Sequence, residues 1–130
     1  MQKTKAPLVS VIMNCFNGET YLQEAINSVY SQAYTNWEIV FWDNLSVDSS
    51  AKIAKSYNGK LNYFASDKHT SLGEARVNAI KKAKGEYLAF LDCDDLWEND
   101  KLMIQVSSID NNNEIGFIYS RCELISGKGD

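Results

Sequence analysis

At 130 residues, with 45% apolar and 23% charged side chains, the chain has the length and make-up of one soluble globular domain with a proper core. Its formal net charge of −4 and its lack of a basic run argue against a nucleic-acid surface. No apolar stretch approaches the roughly 20 residues that span a bilayer, and no signal-peptide pattern precedes Pro7.

In chain order, residues 1–6 are polar and expected to fray. Leu8 to Met13 is a β-rich run that suits an interior strand and ends at Asn14-Cys-Phe-Asn-Gly18. From Glu19 to Gln32, apolar residues at Tyr21, Leu22, Ala25, Ile26, Val29 and Tyr30 follow helical spacing. Trp37 to Trp42 reads as a second strand. After it, Ser46 is placed to cap a helix from about Val47 to Tyr57, with Asp48 in its first turn. Leu61 to Ala65 is a short third strand. Ser71-Leu-Gly-Glu74 matches a capping box and opens a helix whose inner face holds Leu72, Ala75, Ala79, Ile80 and Ala83. Lys81, Lys82 and Lys84 complement its end, and Gly85 stops it. Tyr87 to Leu91 is expected to be a buried strand. A helix over about 99–109 follows, then strands at Ile115 to Ser120 and Cys122 to Ile125.

Strand and helix thus alternate at least four times with short connections, and no linker or repeat interrupts them. That order predicts an α/β fold: a mostly parallel sheet with helices on both faces, in a single domain over residues 1–130. Ligands in such sheets bind beyond the carboxyl ends of the strands. Three polar segments follow those ends, at Asn14 to Asn17, Asp43 to Asp48 and Asp92 to Asp95, and all should open on one edge.

The last segment carries the most chemistry. Asp92, Asp94 and Asp95 crowd three carboxylates into four residues at the mouth of an apolar strand. Such a cluster holds a cation, or one of its carboxyls has its pKa raised by the others. The competing reading is an acidic turn that caps the next helix. In extended backbone Asp92 and Asp94 would share one side, about 6.5–7 Å apart at Cα, beside which a divalent ion and its phosphates fit. Asp43 is placed to accept from a base or sugar hydroxyl, and Arg76 to meet a phosphate or a base. Neither a G-x-G-x-x-G nor a G-x-x-x-x-G-K-[ST] phosphate loop occurs.

Cys15, Cys93 and Cys122 are far apart in sequence, odd in number and without metal-ligand spacing, so each is expected as a reduced cytosolic thiol. Flanking carboxylates should raise the Cys93 thiol pKa and argue against nucleophilic catalysis there. His69 is expected in a solvated loop. Trp37 and Trp42 read as core residues, and Trp97 as either core or pocket lining.

Four pieces in order carry a family resemblance. They are Val9 to Asn17, Tyr21 to Gln32, Trp37 to Asp48, and Gly73-Glu-Ala-Arg-Val-Asn-Ala-Ile80 continuing through Gly85-Glu-Tyr87 to Leu91-Asp-Cys-Asp-Asp95. Together they resemble the N-terminal, nucleotide-binding portion of family 2 glycosyltransferases of the GT-A fold. The resemblance implies that Asp92 and Asp94 form a D-x-D element holding Mn²⁺ or Mg²⁺ and a diphosphate, with Asp95 nearby. It implies that Asn14, Phe16, Asn17, Asp43, Asn44 and Arg76, with Asp92, bind the nucleotide-sugar. The implied reaction moves a sugar from a nucleotide donor, most often a UDP-sugar, to an acceptor hydroxyl on a saccharide, lipid or protein, with inversion. Cell-surface polysaccharide synthesis is the implied setting, and a cytoplasmic domain, membrane-peripheral in a longer protein, the implied location. Many relatives carry two aspartates where this chain has Asp43-Asn44, which loosens the choice of base. The family's general base lies beyond the D-x-D region and is expected past Asp130, so this portion should bind donor better than it transfers. The alternatives are an inactive nucleotide-sugar-binding fragment and a receiver-like acidic Mg²⁺-binding signalling domain; a dinucleotide oxidoreductase is disfavoured by the missing glycine fingerprint.

Overall fold

A computed structural model describes residues 6–126; the stretch 1–5 and the closing Gly127–Asp130 lie outside the described residues. The elements alternate as expected: β1 (Val9–Cys15), α1 (Glu19–Tyr30), β2 (Trp37–Asp43), α2 (Ser50–Lys55), β3 (Leu61–Ala65), α3 (Leu72–Ile80), β4 (Tyr87–Phe90) and α4 (Lys101–Asp110). The four strands form one parallel sheet in the order β3-β2-β1-β4.

That order places a switch point beside β1. The chain steps from β1 to β2 to β3 in one direction, then crosses back through α3 to lay β4 on the other side of β1. Connections of one hand moving in opposite directions put their helices on opposite faces. The core shows this. Val9, Val11, Met13 and Cys15 of β1 and Trp37, Ile39 and Phe41 of β2 bury against α1, α2 and α4, through Leu22, Ile26, Val29, Ala54, Leu102 and Val106. The intervening residues Ile12 and Val40 face α3, through Ala79, with Trp42, Phe64, Ile80 and Ala83 around them.

The β-rich runs of β1 and β2 form strands because both of their faces are covered. β4 does not match that expectation. Leu88 and Phe90 are exposed, because β4 is an edge strand and its outward face has no helix laid over it among the described residues. The strands expected at Ile115 to Ser120 and Cys122 to Ile125 do not form. Phe117 and Tyr119 stand 80% and 85% exposed, stacked on each other, so the run's alternation has no core to face and no neighbouring strand to pair with among the described residues.

Two helix starts are also revised. α2 begins at Ser50, not Val47, because Ser46 and Asp48 are held by the loop after β1 instead of capping a helix. α4 begins at Lys101, and its opening is tied down by Gln32 at the end of α1. The Gln32 amide oxygen accepts from Leu102 N–H (3.0 Å), while its Nε2 donates to the Glu98 carbonyl (2.7 Å). Glu98 and Asp100 therefore precede the first turn instead of occupying it. The capping box is half formed: Ser71 Oγ accepts from Glu74 N–H at 3.2 Å.

Gly85 does something other than stop a helix. α3 ends at Ile80, ahead of the lysines. At Gly85 the chain instead passes so close to the start of β1 that a Cβ would stand 2.7 Å from Leu8 O, Ser10 N and Ser10 Oγ. Its N–H donates to the buried Ser10 hydroxyl (2.8 Å), which donates to Glu38 Oε1 (2.8 Å), and Lys84 N–H donates to the same carboxylate oxygen (2.9 Å). This polar chain across the starts of β1, β2 and β4 sets where β4 enters the sheet. Gly85→Ala should destabilise the chain by about 3 kcal/mol, since the clash is with backbone that cannot give way. Urea unfolding of the two proteins checks it; a loss under about 1 kcal/mol would mean that β4 can enter elsewhere.

Candidate functional site

The three polar strand ends do meet on one edge of the sheet. β1 and β2 stay paired as far as Cys15 and Asp43, but β4 leaves β1 after the Ile12–Phe90 pair. The acidic segment therefore peels away from β1 before that strand ends, and a gap opens beside Asn14 and Cys15. Beyond the same ends lies a pocket of about 280 Å³ lined by Asn14, Cys15, Phe16, Asn44, His69 and Thr70, with Ser71, Leu72 and Ala75 from the start of α3.

Asn14 gives the pocket a polar point. Its Nδ2 is buried and has no hydrogen-bond partner. A buried donor left unpaired costs about 1–3 kcal/mol, so an acceptor atom brought to it would recover that loss. Phe16, about half exposed, sets its ring against His69, with centroids 4.3 Å apart. His69 is thus fixed at the pocket and not simply solvated. Its Nδ1 lies 3.1 Å from the Asn44 carbonyl; a carbonyl only accepts, so the proton sits on Nδ1 and Nε2 is left as an acceptor in the neutral ring. Leu72, expected on the inner face of its helix, is 54% exposed and forms part of the rim.

Asn44 lines the pocket, yet its amide is already engaged. Oδ1 accepts from Thr70 N–H (3.0 Å) and Thr70 Oγ1 (3.1 Å), and Nδ2 donates to the Thr70 carbonyl (2.8 Å). The Asn44 amide is therefore spent on holding the β3–α3 loop against the end of β2. Asp43 is buried and absent from the lining. One of its oxygens accepts from Ser46 N–H (2.8 Å) and the other from the Tyr63 hydroxyl (2.5 Å). Burial and this carboxylate together push the Tyr63 hydroxyl pKa up, so it stays a donor. Asn17, in the left-handed region at φ 52°, clasps the β2 loop: its N–H donates to Ser46 Oγ and its Oδ1 accepts from Val47 N–H, both at 2.9 Å. Asp48 adds to the clasp, accepting from Glu19 N–H and Ser50 N–H. Burial alone would raise its carboxyl pKa, but these bonds outweigh that and hold it below the usual range. Asn17 and Asp43 therefore shape the site from behind.

The acidic trio forms a separate group outside the pocket lining. The extended geometry expected for Asp92 and Asp94 is not what forms. The chain makes a turn instead, with Asp95 N–H donating to the Asp92 carbonyl (3.1 Å). The turn brings one carboxylate oxygen from each of Asp92, Asp94 and Asp95 within 4.8 Å of one another, all three exposed. Arg76, one residue past the pocket-lining Ala75, sets Nη2 3.9 Å from Asp92 Oδ1, so the second turn of α3 links pocket and trio. Partial burial, then the charges of Asp94 and Asp92, raise the Asp95 pKa. Three hard carboxylate oxygens at this spacing suit Mg²⁺ or Mn²⁺. Trp97 is packed against the main core, with Lys101 Nζ 5.5 Å from its ring centre, and does not line the pocket.

The sequence profile of Glycosyl transferase family 2 matches residues 10–126. The chain belongs to that family. It is 36% identical over 120 residues to the Escherichia coli UDP-Glc:alpha-D-GlcNAc-diphosphoundecaprenol beta-1,3-glucosyltransferase WfgD, covering 92% of this chain and 47% of that protein. Among solved structures, S. aureus TarS 1-349 in complex with UDP-GlcNAc superposes with a TM-score of 0.77 at 30% identity, covering 81% of this chain and 32% of that one. The mannosyltransferase PcManGT from Pyrobaculum calidifontis, in complex with GDP-Man and Mn²⁺, gives 0.73 at 25% identity over 82% of this chain and 33% of that one. The chain thus spans less than half the length of these relatives, and it shares their GT-A-like α/β fold. No helix among the described residues is long and apolar enough to cross a membrane.

Two outcomes test the geometry. Asn44→Ala removes three hydrogen bonds to Thr70 and should cost about 2–3 kcal/mol in urea unfolding, with faster amide exchange at Thr70 and Ser71. For Asp95 the folded pKa lies above the unfolded value of 3.8, so the folded chain holds that proton more tightly and loses stability as pH rises through the raised value. Without divalent metal, Asp95→Asn should therefore raise the melting temperature slightly at pH 7 and leave it unchanged below the unfolded value. Calorimetric scans at the two pH values check this; a lowered melting temperature at pH 7 would contradict it.

Proposed function

We propose that this chain is the donor-binding portion of a metal-dependent glycosyltransferase that uses a nucleotide-sugar, with UDP-sugars favoured. The observation that carries the reading is the pairing of a pocket holding an orphaned buried donor, Asn14 Nδ2, with a three-carboxylate cluster joined to it through Ala75 and Arg76. The nucleotide base enters the pocket, where Asn14 donates to a ring carbonyl and Phe16 offers an apolar face. Arg76 steers the diphosphate towards the acidic turn. Asp94 and Asp92 would hold the cation, with the Asp95 carboxylate beside them. When bound, Mn²⁺ or Mg²⁺ offsets the negative charge that develops on a departing diphosphate.

Asn17, Asp43 and Asn44 serve this reading as positioning residues. Their hydrogen bonds hold the loops after β1, β2 and β3 as one rim, which fixes Asn14 and Phe16 before a ligand arrives. In the proposed reaction a carboxylate from sequence beyond Asp130 removes the acceptor's proton, and the sugar transfers with inversion. The relatives with UDP-Glc, UDP-GlcNAc and GDP-Man in their names support a nucleotide-sugar donor and leave its base to experiment. The cytoplasmic setting and a membrane-peripheral longer protein belong to the same proposal. A receiver-like domain is disfavoured, because the end of β1 supplies Asn14 and Cys15 where that reading needs acids.

Calorimetric titration with UDP and GDP, with and without Mn²⁺, tests the assignment. UDP should bind more tightly with Mn²⁺ present, and Asp94→Ala should weaken that binding at least tenfold, about 1.4 kcal/mol. Nucleotide affinity indifferent to both metal and substitution would overturn the role given to the acidic turn.

A further inference from the structure

The donor-site reading leaves two thiols unused. Cys15 ends β1 and is buried; Cys93 lies between Asp92 and Asp94 and is partly buried. They are far apart in sequence, yet the fold brings them to the same glycine. A Cβ built on Gly18 would stand 3.1 Å from Cys15 Sγ, 3.2 Å from Cys93 Cβ and 3.9 Å from Cys93 Sγ. The Cys93 thiol donates to the Asn14 carbonyl at 3.2 Å, and that carbonyl belongs to the peptide bond leading into Cys15. Both sulfurs therefore share one small space where the acidic loop meets the central strand.

We propose that Cys15 and Cys93 form a peroxide-oxidisable dithiol whose disulfide ties the acidic loop to the end of β1. This modification site is independent of which nucleotide the pocket takes. Hydrogen bonding with Cys93, opposed by burial, lowers the Cys15 pKa, which favours the thiolate there over that of a free cysteine. Cys15 is also among the residues lining the pocket, the side from which hydrogen peroxide, little larger than water, would have to reach it. The Cys15 thiolate attacks one peroxide oxygen, the O–O bond breaks, and Cys15 sulfenic acid and hydroxide form. Cys93 sulfur then attacks the Cys15 sulfur; the S–S bond forms as the sulfenic oxygen leaves as water, taking the Cys93 proton. Two electrons pass from the thiol pair to one peroxide. Cys122 is exposed and takes no part.

The test uses the full chain carrying Cys122→Ser, which removes the exposed thiol. After mild hydrogen peroxide treatment, peptide mapping without reductant should find the Cys15 and Cys93 peptides joined within one chain. Dithiothreitol should release them, and the oxidised chain should melt at a higher temperature than the reduced one, because the link closes a long loop. Recovery of both cysteines as alkylated thiols, or of Cys15 as a sulfinic acid, would overturn the proposal, as would links found only between chains. Gly18→Ala supplies a second variant: its methyl group would press on Cys15 Sγ and Cys93 Cβ and should slow formation of the link several-fold. These readouts need no nucleotide or metal, so failure of the donor-site reading leaves them intact.

Discussion

The structure depends on the unequal pairing of its central strand. β1 is held by β2 along its whole length but by β4 only as far as Ile12. Strand β1 is buried on both faces, so it cannot bend to follow β4, and β4, four residues long and an edge strand among the described residues, has too short a ladder to impose its direction. The acidic loop consequently departs where β1 continues. The gap lies at the point where the strand order reverses, the place at which open parallel sheets accept ligands. Everything in the candidate site is arranged around that gap.

Rigidity and exposure are divided sharply across it. On the β2 side the loops are cross-braced by Asn17, Asp43, Asn44 and Asp48, whose side chains satisfy backbone N–H groups of the loops around them. On the β4 side the acidic turn is exposed and held by the Asp95–Asp92 turn bond, the Arg76 ion pair and the Cys93–Asn14 contact. A braced wall facing a lightly held acidic loop suits a site in which one side recognises a ligand and the other adjusts around an ion. The repulsion that helps raise the Asp95 pKa is the local cost of that arrangement.

Among the polar residues of the site, reaching the sheet edge and being free to bind are separate properties. Asp43 and Asn44 sit at a strand end, as binding residues do, yet Thr70 takes both lone pairs of the Asn44 amide oxygen, and Asp43 is turned to Ser46 and Tyr63 outside the pocket lining. His69, which its local sequence marks as an ordinary loop residue, is drawn to the pocket by Phe16 and the Asn44 carbonyl. Sequence position says which residues reach the edge of the sheet. It does not say which of them still have a free donor or acceptor on arrival.

The sequence by itself determined the parallel α/β fold, the helices on both faces, the three polar strand ends on one edge and the family. These follow from hydrophobic periodicity, chain order and short motifs, which are local or nearly local properties. Tertiary structure alone decided that β4 is a half-exposed edge, that Gly85 marks a close approach and not a helix stop, and that the runs at Ile115 to Ser120 and Cys122 to Ile125 form no strand. It also decided that Cys15 and Cys93 share one space and that the acidic trio is gathered by a turn. Each of these rests on contacts, made or missing, between residues distant in sequence, where burial and hydrogen-bond satisfaction, not propensity, set the outcome.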